Sequence, residues 1–136
     1  MIYLTRKERF SAAHRMFRPD WTDEENMQVF GKCSNPNWHG HNYILYVTVK
    51  GDIKEDTGFV INMNILKQII KDKIIDIVDH KNLNIDVGFM KGKIATTENL
   101  ASAIWNELDL PVKNQGARLH CIKIEETENN TIEYYG

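Results

Sequence analysis

Two histidines and a cysteine lie close together in this sequence, and their side chains bind transition metals or transfer protons. His39 and His41 are separated only by Gly40, and residues 43–49 are of the aromatic and β-branched types that favour strands. Side chains at positions i and i+2 of a strand point to the same face of the sheet. Both imidazoles are therefore predicted to project together, as half of a metal site.

His14 is the best candidate for a third ligand, because it follows an alternating pattern over residues 1–10 that predicts another strand. Three neutral imidazoles with a vacant fourth position are typical of catalytic zinc, whereas structural zinc is usually closed by four protein ligands. We therefore predict an open zinc site formed by His14, His39 and His41. The alternative for each histidine is an ordinary surface residue or a hydrogen-bonded core residue.

Cys33 and the pair of Asp79 and His80 are candidates for proton transfer. Residues 34–37 are turn-forming and can fold the Cys33 thiol back towards the histidine pair, where a nearby cation stabilises the thiolate. Asp79 can hold His80 in one tautomer for general acid–base catalysis. The alternatives are a small buried thiol for Cys33 and, for His80, a cation that interacts with the dipole at the end of a helix.

Glu126 is a candidate for ligand binding at the end of a predicted strand. Alternation over residues 118–126 predicts one shared face for His120, Ile122, Ile124 and Glu126, and the opposite face for Leu119, Cys121 and Lys123. A carboxylate that continues an apolar face needs a partner, and a ligand with two parallel N–H donors would supply one. The alternative is an acid at the strand end that is already in water.

The hydrophobic periodicity predicts the elements that position these groups. Strands are predicted over residues 1–14, 39–50, 118–126 and 131–135, and helices over residues 60–78 and 97–108, with one or two helical turns within residues 18–32. Pro111 and Gly116 mark the exit of the second helix. The order β-β-α-α-β-β predicts an α+β fold, with two helices on one face of a four-stranded antiparallel sheet. The open edges of such a sheet favour assembly into a closed barrel.

Length and composition limit the classes of protein. The chain has 136 residues, which is the size of a single domain, here predicted over residues 1–136. The net charge of −2 and the mixed charge pattern predict no nucleic-acid partner. No apolar run approaches the roughly 18 residues that a membrane span requires, so no membrane association is expected. The N-terminus lacks an apolar signal core, which predicts a cytoplasmic protein.

Five short motifs follow one another along nearly the whole chain. They are FSAAH at residues 10–14, GKCSNPNWHGHNY at 31–43, DHKNL at 79–83, TTEN at 96–99 and ETENN at 126–130. With these motifs the sequence resembles the 6-pyruvoyl-tetrahydropterin synthase family. The resemblance implies the tunnelling fold (T-fold), in which trimers close a twelve-stranded barrel. It also implies a homohexamer of two trimers, with active sites between subunits.

The resemblance assigns roles to residues of this sequence. It implies one Zn²⁺ per subunit and no organic cofactor, with the metal held by His14, His39 and His41. Proton transfer is implied for Cys33, Asp79 and His80. Binding of the pterin ring is implied for Glu126, with further pterin contacts at Thr96, Thr97 and Thr127.

The implied activity is that of a zinc-dependent lyase in tetrahydrobiopterin biosynthesis. It converts 7,8-dihydroneopterin triphosphate to 6-pyruvoyl-5,6,7,8-tetrahydropterin and releases triphosphate. The related 6-carboxy-5,6,7,8-tetrahydropterin synthases of the queuosine pathway share the metal motif but have a shorter gap before the His-Gly-His sequence, whereas residues 34–38 intervene here. Three other hypotheses stay open: that enzyme or another pterin side-chain lyase, a non-catalytic metal- or pterin-binding module, and a structural zinc domain.

Two further features concern details of the site. Trp38 stands where the animal members of the family usually have glycine, and it can alter the shape of the loop before His39. The substrate's triphosphate requires cations, and the basic residues nearest the site in the sequence are Arg15, Lys32 and Lys81.

Overall fold

The fold is built on one five-stranded β-sheet, and the computed structural model describes residues 1–136. The strands, numbered in chain order, are β1 (Ile2–His14), β2 (His39–Gly51), β3 (Lys81–Asn82), β4 (Arg118–Thr127) and β5 (Asn130–Tyr134). The helices are α1 (Asp23–Phe30), α2 (Met63–Ile70), α3 (Asp76–Val78) and α4 (Thr97–Lys113). The strand order is β3-β1-β2-β4-β5, and all neighbours are antiparallel except β3 and β1. The α+β class and the four long antiparallel strands are confirmed.

The prediction of a four-stranded sheet is wrong by one short strand. β3 pairs in parallel with Ala12 and Ala13 at the outer edge of β1. The N–H of Leu83 donates to the carbonyl of Ala13 at 2.8 Å, and the N–H of His80 donates to the carbonyl of Ser11 at 2.6 Å. This segment therefore satisfies part of the backbone edge of β1, which would otherwise present unpaired polar groups.

The long strands β1 and β2 are neighbours in the sheet and carry the metal-site candidates at one end. They pair in register from Ile2 opposite Gly51 to His14 opposite His39. The inward-facing side chains of β2 are almost completely buried, namely Tyr43, Leu45, Val47 and Val49. Alternation therefore holds over this strand, as expected for a sheet with one face packed on the core.

The connection between β1 and β2 contains a short helix, as predicted for residues 18–32. Helix α1 begins after Thr22, whose hydroxyl accepts the N–H of Glu25 at 3.1 Å and so caps the first turn. A 3₁₀ turn over Gly31–Ser34 follows directly and carries Cys33. The chain then returns to the sheet at His39, so the connection places the thiol beside the end of β2.

The predicted helix over residues 60–78 is present from Met63 and has an unusual middle. A π-helical segment, Lys71–Ile75, separates α2 from α3. Every fourth residue from position 66 to position 78 is fully buried, namely Leu66, Ile70, Ile74 and Val78. Residues four apart advance slightly beyond one turn of an α-helix, so the wider π turn reduces the drift of this apolar stripe around the axis.

The final helix is longer than predicted. Helix α4 starts at its Thr96 cap, continues past Leu108 and through Pro111, and ends at Lys113, so the expected exit at Pro111 is wrong. Val112 lies after the proline and is fully buried, which favours continuation of the helix by one more turn.

No helix of the structure combines the length and the apolar character that crossing a membrane demands.

Strand β4 contains an irregularity that alternation alone does not predict. The register with β2 shifts between Thr48 and Val49, which pair with Cys121 and Leu119 and leave His120 without a partner. Leu119 therefore joins the core, where it is 5 % exposed, and the His120 ring contacts Tyr3 at a centroid distance of 4.5 Å. The predicted faces of Leu119 and His120 are wrong, because a bulge residue reverses the alternation on one side of it.

Candidate metal centre and active site

Three histidines converge where β1 ends and β2 begins. The ligand atoms of His14, His39 and His41 all lie within 4.8 Å of one another. The ring centroid of His14 lies 4.5 Å from that of His39 and 5.1 Å from that of His41. The prediction that the two imidazoles of β2 project together with His14 is confirmed, and the antiparallel pairing of His14 with His39 is its cause.

The orientation of His14 suits a metal ligand. The His14 side chain is fully buried, and its Nδ1 lies 2.7 Å from the carbonyl oxygen of Ala95. A carbonyl oxygen can only accept, so Nδ1 carries the proton and donates, and the lone pair of Nε2 faces the other histidines. The buried imidazole nitrogens of the three residues that have no hydrogen-bond partner are His14 Nε2, His39 Nδ1, His39 Nε2 and His41 Nε2.

A divalent transition-metal ion fits this set of nitrogens. Buried polar atoms without partners are costly, and a cation that accepts their lone pairs would satisfy them together. Burial lowers the pKa of both His14 and His39, and the neighbouring imidazoles lower it further. The neutral form, which is the form that binds metals, is thereby favoured. The three residues could therefore hold a metal ion.

We expect the metal-free protein to lose stability as the pH falls below about 6.5. The folded-state pKa values of His14 and His39 lie below their ordinary value of 6.5, so the unfolded chain binds protons first. The free energy of unfolding is therefore undiminished above that pH, and it decreases as the pH falls towards the folded-state pKa values of His14 and His39. Urea unfolding of the chelated protein at pH 7.5 and at pH 5.5 measures it. Equal midpoints at the two pH values would contradict it, and a His14→Gln variant should show a shallower decline.

Glu126 faces the histidine cluster from the end of β4. Its Oε1 lies 3.6 Å from His14 Nε2 and 3.5 Å from His41 Nε2. Ile122 and Ile124, which precede it on the same face, are fully buried, so this part of the predicted alternation is confirmed. The Glu126 side chain is 19 % exposed. A carboxylate so enclosed can accept hydrogen bonds from a ligand that enters beside the metal position.

A cavity of about 410 Å³ adjoins this carboxylate, and Cys33, Thr97 and Glu126 all line it. The Thr97 hydroxyl is buried and has no hydrogen-bond partner, so it is available to a ligand. The other two candidate threonines have local partners. Thr96 accepts the N–H of Asn99 at 3.1 Å as the cap of α4, and Thr127 accepts the N–H of Asn129 at 3.2 Å within a turn.

Tyr43 was not among the predicted site residues. Its ring lies 5.5 Å from that of His41 by centroid distance, and its buried hydroxyl has no hydrogen-bond partner. Burial, and then the charge of Glu126, raises the pKa of this phenol. Alternation on β2 could have identified it, because Tyr43 is two residues beyond His41 and shares its face.

The turn that carries Cys33 is attached to the residues that follow the candidate metal ligand His14. The N–H of Met16 donates to the carbonyl of Cys33 at 2.8 Å, and Arg15 Nε donates to the carbonyl of Ser34 at 2.7 Å. The Arg15 guanidinium also stacks on Phe17 at 4.0 Å and is 14 % exposed. Arg15 therefore holds this turn, and its guanidinium is less available to a triphosphate than the sequence suggested.

Replacing Arg15 with methionine is expected to loosen the Cys33 turn. Iodoacetamide should then alkylate Cys33 about fivefold faster, which corresponds to the loss of one hydrogen bond worth about 1 kcal/mol. A Cys121→Ala background leaves a single thiol for the measurement. The matched control is Arg18→Met, because the Arg18 side chain contacts Asp20 and the Trp21 ring and makes no hydrogen bond to the Cys33 turn. Identical alkylation rates in the two arginine variants would show that Arg15 does not position the thiol.

Asp79 and His80 lie at the edge of β1, where α3 has ended. The N–H of Ser11 donates to Asp79 Oδ1 at 2.9 Å, and the same oxygen lies 3.0 Å from His80 Nδ1. The Ser11 N–H, and then the neighbouring His80, hold the pKa of Asp79 below its usual range. The predicted pairing of this carboxylate with His80 is thus present, and it leaves the imidazole 81 % exposed.

The structure does not bring His80 onto the cavity that Cys33 lines. His80 and Lys81 line a different cavity of about 570 Å³, which His41 and Asn42 also border. Within one chain, the candidate thiol and the candidate imidazole therefore belong to separate cavities on either side of the histidine cluster.

Trp38 lies immediately before the metal-site candidate His39 in a left-handed backbone conformation, with φ of 66°. Its N–H donates to the carbonyl of Asn35 at 3.2 Å and closes the turn. A bulky residue is disfavoured in this region, whereas glycine adopts it readily. This geometry gives a physical reason why glycine suits the position.

Comparison with known proteins assigns the chain to a family. The family model described as 6-pyruvoyl tetrahydropterin synthase matches residues 3–136. The chain belongs to this family. A Dictyostelium discoideum protein named 6-pyruvoyl tetrahydrobiopterin synthase is 47 % identical over 135 residues, which cover 99 % of this chain and 96 % of that protein. The resemblance predicted from the five motifs is confirmed.

Solved structures agree with this assignment. The structure of Caenorhabditis elegans 6-pyruvoyl tetrahydropterin synthase superposes with a TM-score of 0.92 and 38 % identity, covering 99 % of this chain and 95 % of that one. A Bacillus subtilis protein named 6-carboxy-5,6,7,8-tetrahydropterin synthase is more distant, with 29 % identity over 104 residues, 74 % of this chain and 67 % of that protein. The 6-pyruvoyl tetrahydropterin synthase fold is thus shared along essentially the whole chain.

Proposed function

We propose that this chain is a zinc-dependent carbon–oxygen lyase of tetrahydrobiopterin biosynthesis. It would convert 7,8-dihydroneopterin triphosphate to 6-pyruvoyl-5,6,7,8-tetrahydropterin and release triphosphate. The observation that carries the proposal is the cluster of three imidazoles whose unpartnered nitrogens face Glu126, beside a cavity that Cys33 also lines. Whole-length similarity to proteins named for this activity supports it.

His14, His39 and His41 would hold the metal ion, and Zn²⁺ is the ion that three imidazoles with an open position most often bind in enzymes. When bound, the metal supplies Lewis acidity, which lowers the pKa of hydroxyl groups on the substrate's side chain. The hydrogen bond from His14 to Ala95 keeps that ligand in the required tautomer.

Cys33 would act as a base that removes a proton from the substrate's side chain. His80, oriented by Asp79, would exchange a proton on the other side of the substrate's side chain. Elimination of triphosphate followed by tautomerisation gives the pyruvoyl product without an external oxidant. No organic cofactor is required.

Glu126 would recognise the pterin ring. Its carboxylate can accept two parallel hydrogen bonds, from the 2-amino group and a ring N–H of the pterin. A site built for such bonds rejects rings that lack those donors, because its buried carboxylate would then be left unpaired. Among the candidate threonines Thr97 has the free hydroxyl, and Thr96 and Thr127 would assist through the backbone segments that they fix.

We further propose that the active site forms between subunits of a cytoplasmic homohexamer, a dimer of trimers, in which each chain is one domain over residues 1–136. The support is that Cys33 and His80 line separate cavities of one chain, so His80 would serve the Cys33 of a neighbouring subunit. Mixing inactive Cys33→Ala and His80→Ala subunits after dissociation should then restore part of the activity. A mixture that stays inactive, with hexamers of both chains present, would place both residues in one chain's site.

Identification of the product tests the reaction itself. The metal-quantified protein is incubated with 7,8-dihydroneopterin triphosphate, and the pterin product is determined by mass spectrometry, alongside a chelated sample. Release of triphosphate with a pyruvoyl product supports the proposal. A 6-carboxy product or a shortened side chain would favour the second candidate, another pterin side-chain lyase on the same metal site. Binding of metal and pterin without turnover would favour a non-catalytic module.

A further inference from the structure

A third cavity lies at the opposite end of the sheet from the histidine cluster. It encloses about 430 Å³, and its polar lining comes from the ends of β2 and β4 and from α4. Lys50 follows His41 by nine residues on the same strand, which is roughly 30 Å at the rise of a strand. This cavity is therefore separate from both cavities at the proposed active site.

Two cations stand directly opposite each other in this cavity. Lys50 of β2 and Arg118 of β4 are paired residues in the sheet register, and both line the cavity. Like charges opposite each other on neighbouring strands destabilise a sheet. Neither side chain forms an ion pair or a side-chain hydrogen bond in the chain, unlike Lys113 on the same cavity, whose Nζ lies 2.6 Å from Asp109. Neither Lys50 nor Arg118 therefore has an acidic partner in direct contact within the chain.

The rest of the lining adds aromatic surface and a further titratable ring. Trp105, His120 and Tyr135 border the same cavity. His120 is the bulge residue of β4, and its ring contacts that of Tyr135 at a centroid distance of 5.6 Å. Lys50, Lys113 and Arg118 bring three positive charges to the cavity lining, and Asp109 brings one negative charge. The lining is therefore locally positive, although the whole chain has a net charge of −2. The bulge thus places an imidazole on the same cavity as the two unpaired cations.

We propose that this cavity binds a phosphate-bearing ligand, with phosphoryl oxygens held by Lys50 and Arg118. A guanidinium matches the geometry of phosphate oxygens, and an ammonium adds a point charge. A polyanion placed between the two side chains converts their repulsion into two attractive contacts. The aromatic side chains offer stacking to a ligand that also carries a planar ring, such as a purine nucleoside triphosphate. The proposal does not depend on the lyase activity.

Trp105 provides a local probe for the test. Trp21→Phe and Trp38→Phe leave Trp105 as the only tryptophan of the three, and its fluorescence is followed during titration with tripolyphosphate and with a purine nucleoside triphosphate. We expect a saturable change that weakens with added salt. Tighter binding of the nucleotide supports a ring subsite as well, and equal binding supports phosphoryl recognition alone.

The variant K50Q/R118Q should bind about tenfold more weakly or worse. The matched control is K91Q/K93Q, which removes the same charge at two exposed lysines outside the cavity. Absence of a saturable change at Trp105 with either ligand, or equal weakening in both double variants, would overturn the proposal.

Stability without ligand gives an independent check. Because the two cations repel each other, the midpoint of thermal unfolding of K50Q/R118Q should equal or exceed that of the unmodified protein. A clearly lower midpoint would mean that these cations already have a partner inside the protein and would contradict the proposal. Turnover of the pterin substrate should stay unchanged in this variant, since neither residue lies at the histidine cluster.

Discussion

Replacement of His39 by alanine is expected to release the metal and to lower kcat/KM for the pterin substrate by about a thousandfold or more. His39 is one of three clustered candidate ligands, and two imidazoles remain when it is removed. The polarisation of the substrate hydroxyls that a bound metal would supply would then be lost with the ion. Metal content by mass spectrometry and steady-state kinetics on the same preparation measure both effects.

The control for this variant is His120→Ala, which removes a histidine from the same sheet but far from the cluster. It should keep its metal and its turnover. Thermal unfolding of His39→Ala distinguishes an open catalytic site from a structural one, because chains that depend on structural zinc unfold when the metal is lost. An unfolded His39→Ala variant would contradict the open-site interpretation, since the core of this chain is apolar and does not include His39.

Replacement of Cys33 by alanine is expected to lower kcat by about a hundredfold to ten-thousandfold, the usual contribution of general acid–base catalysis. The metal should stay bound, because the thiol is not part of the histidine cluster. Substrate affinity should change little, since in the proposed mechanism Glu126 and Thr97 would supply the contacts to the ring. Single-turnover kinetics, metal analysis and a binding titration on the same variant measure the three quantities.

Cys121→Ala is the matched control, because Cys121 is the other free cysteine and lies buried in β4. Its turnover should equal that of the unmodified protein. Full activity in Cys33→Ala would remove the thiol from the mechanism and would favour a base supplied by another group on the same cavity. Loss of the metal in Cys33→Ala would instead identify the thiol as a ligand.

Local patterns were sufficient to predict the long elements of this fold. Alternation over β1 and β2 and the helical period before Val78 depend on burial of one face, and that burial is visible in the sequence. The two-residue strand β3 is too short to show any period, and it exists because of its contact with Ala12 and Ala13. The bulge at His120 and the helical turn after Pro111 likewise depend on tertiary packing, which overrides local signals.

The metal-site candidates were predictable for a related reason. His39 and His41 share a face by strand geometry alone, and His14 meets them because antiparallel pairing places it opposite His39. Cys33 and His80 are different, because their separation depends on how two connections pass the end of β1, one contacting Met16 and the other Ser11, and no spacing in the sequence encodes it. The free hydroxyl of Thr97, in contrast with the occupied one of Thr96, also becomes visible only once the helix cap is known.

The hydrogen bond between His14 and Ala95 joins two parts of the chain that are 81 residues apart. Ala95 immediately precedes Thr96, the cap of α4, so the start of that helix is linked to the candidate metal ligand His14 by one hydrogen bond. Fraying of the helix start would release the imidazole and weaken its hold on a cation. By thermodynamic reciprocity, a bound cation would suppress that fraying by the same free energy. Metal affinity and the protection of the helix start against amide exchange should therefore change together, because both depend on the same coupling free energy.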